Sequence, residues 1–178
     1  WHGTTTVIMG NCGFTLAPCL PRDRDYITYM FSRVEGINAK ALEQGLDWRW
    51  QSFPEYLRRI EEEHLGINVG TMVGHSAVRR YVMAEEANTR QANTEEVKQM
   101  KMLVRDALSS GAWGFTTSLS ATHYDWDGGP VPSRLASHEE VLELGSTLSE
   151  FGIGSIEIIT ETSVLGADGF SEADQRLL

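Results

Sequence analysis

The chain alternates short runs rich in β-branched and other apolar residues with longer segments in which apolar residues recur every three or four positions. The first run, Thr4-Thr5-Thr6-Val7-Ile8-Met9, halts at Gly10-Asn11-Cys12-Gly13, the pattern of a buried strand entering a tight turn. Ile67 to Val73 forms a second run that stops at Gly74-His75-Ser76. Ala112 to Thr117 follows Gly111 as a third, and Ile156 to Thr160 leaves Gly152-Ile153-Gly154 as a fourth. The segments between them open on a polar residue with an acid three positions later, the signature of a capping box at a helix start. Ser52 with Glu55 precedes Tyr56, Leu57 and Ile60, and Asn93 with Glu96 precedes Val97, Met100, Val104, Ala107 and Leu108. Ser137 with Glu140 precedes Val141, Leu144, Leu148 and Phe151, and Ser171 with Asp174 opens a last helix.

Strands apolar on both faces, alternating with helices, predict an α/β fold in which helices cover a parallel sheet. Two architectures share that pattern, an open doubly wound sheet and a closed (β/α)8 barrel of about 250 residues, of which four units are about half. Local pattern does not separate them. Phe14 to Gln51 and Thr117 to Ser137 read as unusually long loops. Both follow the C-terminal end of a strand, where parallel α/β folds build their sites.

At 178 residues and 41% hydrophobic, the chain can bury a core, which excludes intrinsic disorder and fits one domain over residues 1–178. Its 15 Lys and Arg against 25 Asp and Glu give a formal charge of −10, opposing nucleic acid and anionic membranes as partners. No apolar run reaches the roughly 18 residues of a membrane span, and Trp1-His2-Gly3-Thr4 is unlike an export signal. A soluble, cytoplasmic protein is expected. The first residue is Trp1 rather than methionine, which points to a piece of a longer protein. Two cysteines, Cys12 and Cys19, are too few for a disulfide framework and read as free thiols.

The candidate chemistry clusters at strand ends. Cys12, between two glycines that permit close backbone approach, reads as a zinc ligand, a nucleophile or a small buried turn residue. His75 occupies the equivalent point of the second unit, as a site residue or as a helix cap. Ser76 and Arg79 follow it, either binding an anion at the helix start or lying on the surface. His123, Tyr124, Asp125 and Asp127 have a spacing that resembles a metal loop, but no glutamate stands where an EF-hand needs one, so a solvated, substrate-contacting loop is expected. Glu157 interrupts an apolar strand, where an unpaired carboxylate is costly to bury, so it faces solvent or meets a cation. Neither a Gly-rich phosphate loop nor a G-x-S-x-G elbow is present.

Three ordered segments carry a resemblance to a known family. Gly3 to Pro18, with Gly10-Asn11-Cys12-Gly13 at its centre, resembles the segment of the N-acyl-D-amino-acid deacylases (D-aminoacylases), of the amidohydrolase superfamily, whose cysteine binds zinc. Met72-Val73-Gly74-His75-Ser76-Ala77-Val78-Arg79 is similar to that family's VGHSxxR turn, and Ser110 to Thr117 to its GAxGfsTG strand. The resemblance implies four consecutive units of a (β/α)8 barrel and hydrolysis of an N-acyl-D-amino acid, or a related small amide, by metal-activated water. It makes Cys12 a zinc ligand, Tyr124 a substrate-contacting residue, and His75 with Ser76 part of the substrate pocket. The family's His-x-His would precede Trp1, and its later histidine and catalytic aspartate would follow Leu178 or be absent. Where the family has an Ala-Thr-His strand end, this chain reads Glu157-Ile158-Ile159-Thr160-Glu161, which offers Glu157 as a substitute metal ligand and leaves no general base identified. Two functional expectations follow. One is a metal-dependent amidohydrolase; the other is a catalytically incompetent barrel module. In either, open sheet edges predict self-association or cover by the missing barrel half.

Overall fold

The structure, a computed structural model, describes residues 2–161 and 172–175. Its strands are β1 (Thr6–Met9), β2 (Asn68–Thr71), β3 (Val73–Gly74), β4 (Gly114–Ser118) and β5 (Ser155–Ile159). Every strand pair is parallel: β1 with β2, β3 with β4, and β4 with β5. The fold class is therefore α/β, as the alternation of runs requires.

The run from Ile67 to Val73 is not one strand. It breaks at Met72, whose N–H donates to Met9 O at 2.9 Å, while Trp113 N–H donates to Thr71 O at 2.9 Å. The same stretch thus serves β1 on one side and then β4 on the other, so the two sheets meet along it.

The helices are α1 (Arg24–Glu35), α2 (Ala39–Gly45), α3 (Phe53–Glu62), α4 (His75–Met83), α5 (Thr94–Ser109), α6 (His138–Gly145) and α7 (Glu172–Gln175). Ser52 and Asn93 form reciprocal capping boxes with Glu55 and Glu96, so α3 and α5 start where the polar signals place them. Ser137 forms only half of one. Its hydroxyl accepts from Glu140 N–H at 3.1 Å, but the Glu140 carboxylate turns inward instead of returning to the cap. The stripe expected to run on to Phe151 is continued after α6 by a 3-10 turn, Ser146–Glu150. Ser171 lies outside the described residues.

The main core packs Val73, Val78, Met100, Val104, Ala107, Leu108, Phe115 and Leu144 between sheet and helices. A second apolar cluster joins Phe14, Cys19, Ile27, Met30, Ala77 and Val131. It corrects the long-loop reading of Phe14 to Gln51: this segment carries α1 and α2, and Ile27 and Met30 of α1 are fully buried. A second correction concerns β1. Thr6, Val7 and Ile8 are exposed, because β1 pairs on one side only and no helix covers it among the described residues. Among the described residues, no helix is long and apolar enough to cross a membrane.

Candidate functional site

The site grows from the turn that follows β1. Cys12 adopts a left-handed conformation (φ 59°, ψ 18°) and is flanked by Gly13 at φ 83°. Glycine is required at Gly13 on two counts, since a Cβ there would also come within 3.1 Å of Ser118 N and Thr117 Cα. Gly74 has the same function from the opposite side, as its Cβ would lie 2.7 Å from Gly13 O. These absences of side chain let the cysteine turn settle onto the C-terminal ends of β3 and β4.

There it meets Glu157 of β5. Cys12 N–H donates to Glu157 Oε2 at 3.1 Å, and Cys12 Sγ lies 3.9 Å from Glu157 Oε1. Thr116 of β4 stands beside Glu157 in the strand register and donates its hydroxyl to Oε2 at 3.0 Å, while accepting Gly13 N–H at 2.9 Å. Burial, followed by the charges of Glu157 and Glu35, pushes the Cys12 thiol up to about 11. A thiol facing a carboxylate keeps its proton in this setting, and a cation between them is what would release it. Among the described residues, no group of three or more His, Cys, Asp and Glu side chains is gathered to hold a metal. Cys12 and Glu157 are thus a two-donor arrangement.

His75 and Ser76, expected in the substrate pocket, are both wholly buried. His75 Nδ1 is 2.8 Å from Thr117 Oγ1, and its Nε2 is 2.9 Å from Glu140 Oε1. Burial holds the His75 pKa below its ordinary value, against the pull of Glu140, so the imidazole is neutral with Nε2–H donating to the carboxylate. Ser76 Oγ donates to Ser133 Oγ at 3.1 Å. Neither side chain presents a free face, and what they position is the end of β4 and the loop after it.

Arg79 is neither an anion site nor a surface residue. It is the largest fully buried side chain and is paired with Glu140. Glu140 was legible only as a capping residue; the missed signal is Arg79 one helical turn after His75, two basic side chains stacked on one face, which call for an acid when that face is buried.

The loop after β4 folds over the rim. His123 Nδ1 is 2.8 Å from Ser118 Oγ and its ring meets Phe14 edge-on at 5.2 Å, which anchors it within the loop. Tyr124 is 43% exposed, with Arg134 over its ring at 4.8 Å, and lines a cavity of about 250 Å³ with Arg33, Val34, Thr122 and His123. Asp125 departs from the solvated-loop reading: it is buried, with Oδ2 taking Asn88 Nδ2–H at 3.1 Å and the Tyr26 hydroxyl at 3.4 Å. Its Oδ1 has no hydrogen-bond partner, and burial, then the neighbouring Asp127, raises its pKa to about 6. Of the other histidines, His138 opens α6 and His64 follows α3.

Across the parallel strands, the cysteine turn after β1 thus meets a carboxylate from the middle of β5. The model of the amidohydrolase family matches residues 1–174, and the chain belongs to that family. It is 32% identical over 155 residues to a D-aminoacylase of Alcaligenes xylosoxydans xylosoxydans, covering 85% of this chain and 27% of that protein. It is 29% identical to an N-acyl-D-aspartate deacylase of the same organism, covering 80% of this chain and 24% of the relative. A crystal structure of D-aminoacylase, described as defining a novel subset of amidohydrolases, superposes with a TM-score of 0.61 at 31% identity, over 86% of this chain and 28% of that one. The chain therefore spans about a quarter of the length of the relatives it matches.

Proposed function

We propose that this chain forms part of a metal-dependent hydrolase that cleaves the amide bond of N-acyl-D-amino acids, and that its strands are consecutive units of a (β/α)8 barrel. The observation that carries the reading is the approach of Cys12 Sγ to Glu157 Oε1 at 3.9 Å, where the turn after β1 packs against the middle of β5. A thiol and a carboxylate are donor types that zinc accepts, so Cys12 and Glu157 would supply two of its ligands. The relatives support the choice of metal and substrate: one solved structure is of D-aminoacylase with a binuclear metal centre, and another is of an N-acyl-D-glutamate deacylase from Bordetella bronchiseptica complexed with zinc.

When bound, the metal would activate water and polarise the substrate carbonyl. The chain's own residues hold and shape that place. Cys12 and Glu157 supply donors. Tyr124, exposed on the rim loop, contacts the substrate, while His75 and Ser76 act from beneath by fixing Thr117 and Ser133. The remaining donors and the covers for exposed β1 and β5 come from the rest of the barrel.

Metal analysis of the purified protein and of Cys12→Ala tests the reading, together with hydrolysis of N-acetyl-D- and N-acetyl-L-amino acids. About one zinc per chain, lost in the variant, and preference for the D series are expected. A metal content unchanged by Cys12→Ala would overturn it.

A further inference from the structure

Thr116 has a bonding pattern that admits one proton arrangement. It is fully buried on β4, opposite Glu157 in the register with β5. Gly13 N–H can only donate, so the Thr116 oxygen accepts from it at 2.9 Å, and the single hydroxyl proton is left for Glu157 Oε2 at 3.0 Å. Oε2 also takes Cys12 N–H at 3.1 Å. One carboxylate oxygen is thereby anchored by two donors, and the other, Oε1, is left facing the thiol at 3.9 Å. The same hydroxyl holds both the cysteine turn, through Gly13, and the carboxylate, so the relative placement of the two donors passes through one atom.

We infer that Thr116 is a positioning residue that presents Glu157 Oε1 to a metal shared with Cys12, an inference that rests on the two-donor reading above. On the other face of β4, Thr117 is tied to His75 at 2.8 Å, so the strand carrying Thr116 cannot slide to compensate for a lost hydroxyl. Thr116→Val keeps shape and β-branching but removes the proton for Oε2 and the acceptor for Gly13 N–H.

Cobalt(II) titration of the protein, read by the thiolate-to-cobalt absorption and by the ligand-field bands, separates the possibilities. Wild type should show both, and Cys12→Ala should lose the thiolate band. Thr116→Val should keep the thiolate band but bind about 10- to 100-fold more weakly with altered ligand-field bands, at a urea midpoint that shows it folded. Thr116→Ser should restore wild-type binding. If Thr116→Val does not fold, Thr116→Ala, which leaves room for a water against Gly13 N, carries the same comparison. Wild-type affinity and bands in folded Thr116→Val or Thr116→Ala overturn the positioning role while leaving the metal reading intact. No thiolate band in the wild type overturns both.

Discussion

Arg79 Nη1 lies 2.6 Å from Glu140 Oε1 and 2.5 Å from Oε2, with both side chains buried beneath the candidate site. Arg79 Nη2 also donates to Arg90 O at 2.8 Å, and neutral His75 donates to the same carboxylate. A charge pair taken out of water gains little over an apolar pair of the same volume, but one left without its partner is expensive.

Glu140→Ala should therefore destabilise the protein by about 3–5 kcal/mol, because it strands a buried guanidinium and an imidazole N–H. The double variant Arg79→Met with Glu140→Leu should recover most of that loss. By contrast, Glu150→Ala, which removes the exposed partner of Arg105, should cost less than about 1 kcal/mol. Urea unfolding of the variants checks the ranking, and a mild Glu140→Ala would mean that Arg79 can reach solvent.

The same cluster sets a pH dependence. His75 is held below its ordinary pKa, so its contribution is complete above about 6.5 and is lost as the pH falls through the folded value. Glu140 is also lowered: burial pushes it up, but His75 and Arg79 outweigh burial. Its contribution is complete above about 4.3 and disappears on further acidification. Stability should accordingly decline from about pH 6.5 downward, and His75→Gln, which keeps a donor for Glu140, should flatten the upper part of that decline. An unchanged slope in the variant, measured by urea midpoints across the range, would remove His75 as its source.

How much of this was legible in the sequence depends on whether the signal was local. The capping residues Ser52 and Asn93 and the turn at Gly10-Asn11-Cys12-Gly13 were readable because a helix start or a turn is decided within a few residues. The exposure of β1 was not, since an apolar run reads as buried whether or not its neighbours lie within reach. α1 was hidden by the Arg22-Asp23-Arg24-Asp25 run, which reads as loop but forms a 3-10 turn and the first turn of a helix whose Ile27 and Met30 face inward. Glu140 was legible as a helix-start residue and not as a buried partner, because Arg79 and His75 are 61 and 65 positions away. Glu157 was legible as an anomaly in its strand, while Thr116, its anchor, looked like any β-branched strand residue.

The cysteine turn should be sensitive to substitution beneath it. Gly74→Ala would place a Cβ 2.7 Å from both Gly13 O and Thr15 Oγ1, and neither the backbone nor a buried threonine can yield cheaply. A loss of about 1–3 kcal/mol is expected from such overpacking, together with weakened metal binding as Gly13 and Cys12 are lifted off β4. Thermal unfolding and a metal titration on the same sample check this. Loss of stability with intact binding would show that the turn moves as a unit without disturbing its donors.

The rim loop should titrate in the opposite sense to the buried cluster. Burial, then the hydrogen bond and charge of Asp127, raise Asp125 to about 6, while the Gly129 and Asp127 backbone N–H groups pull it down less strongly. Tyr26 and Asn88 face its other oxygen, Arg80 stacks 4.0 Å over the Tyr26 ring, and Arg22, Asp25 and Glu85 line the adjoining cavity of about 410 Å³. A raised carboxyl pKa gives stability that is complete below about 3.9 and lost as the pH rises through the folded value. Asp127→Asn removes the like charge and can donate an amide proton to Oδ1. The Asp125 midpoint, followed by carboxyl NMR, should then fall toward the ordinary range, and the loop should lose less stability between pH 4 and 6. A midpoint that stays near 6 in the variant would show that burial alone sets it and that the two carboxyls share no proton.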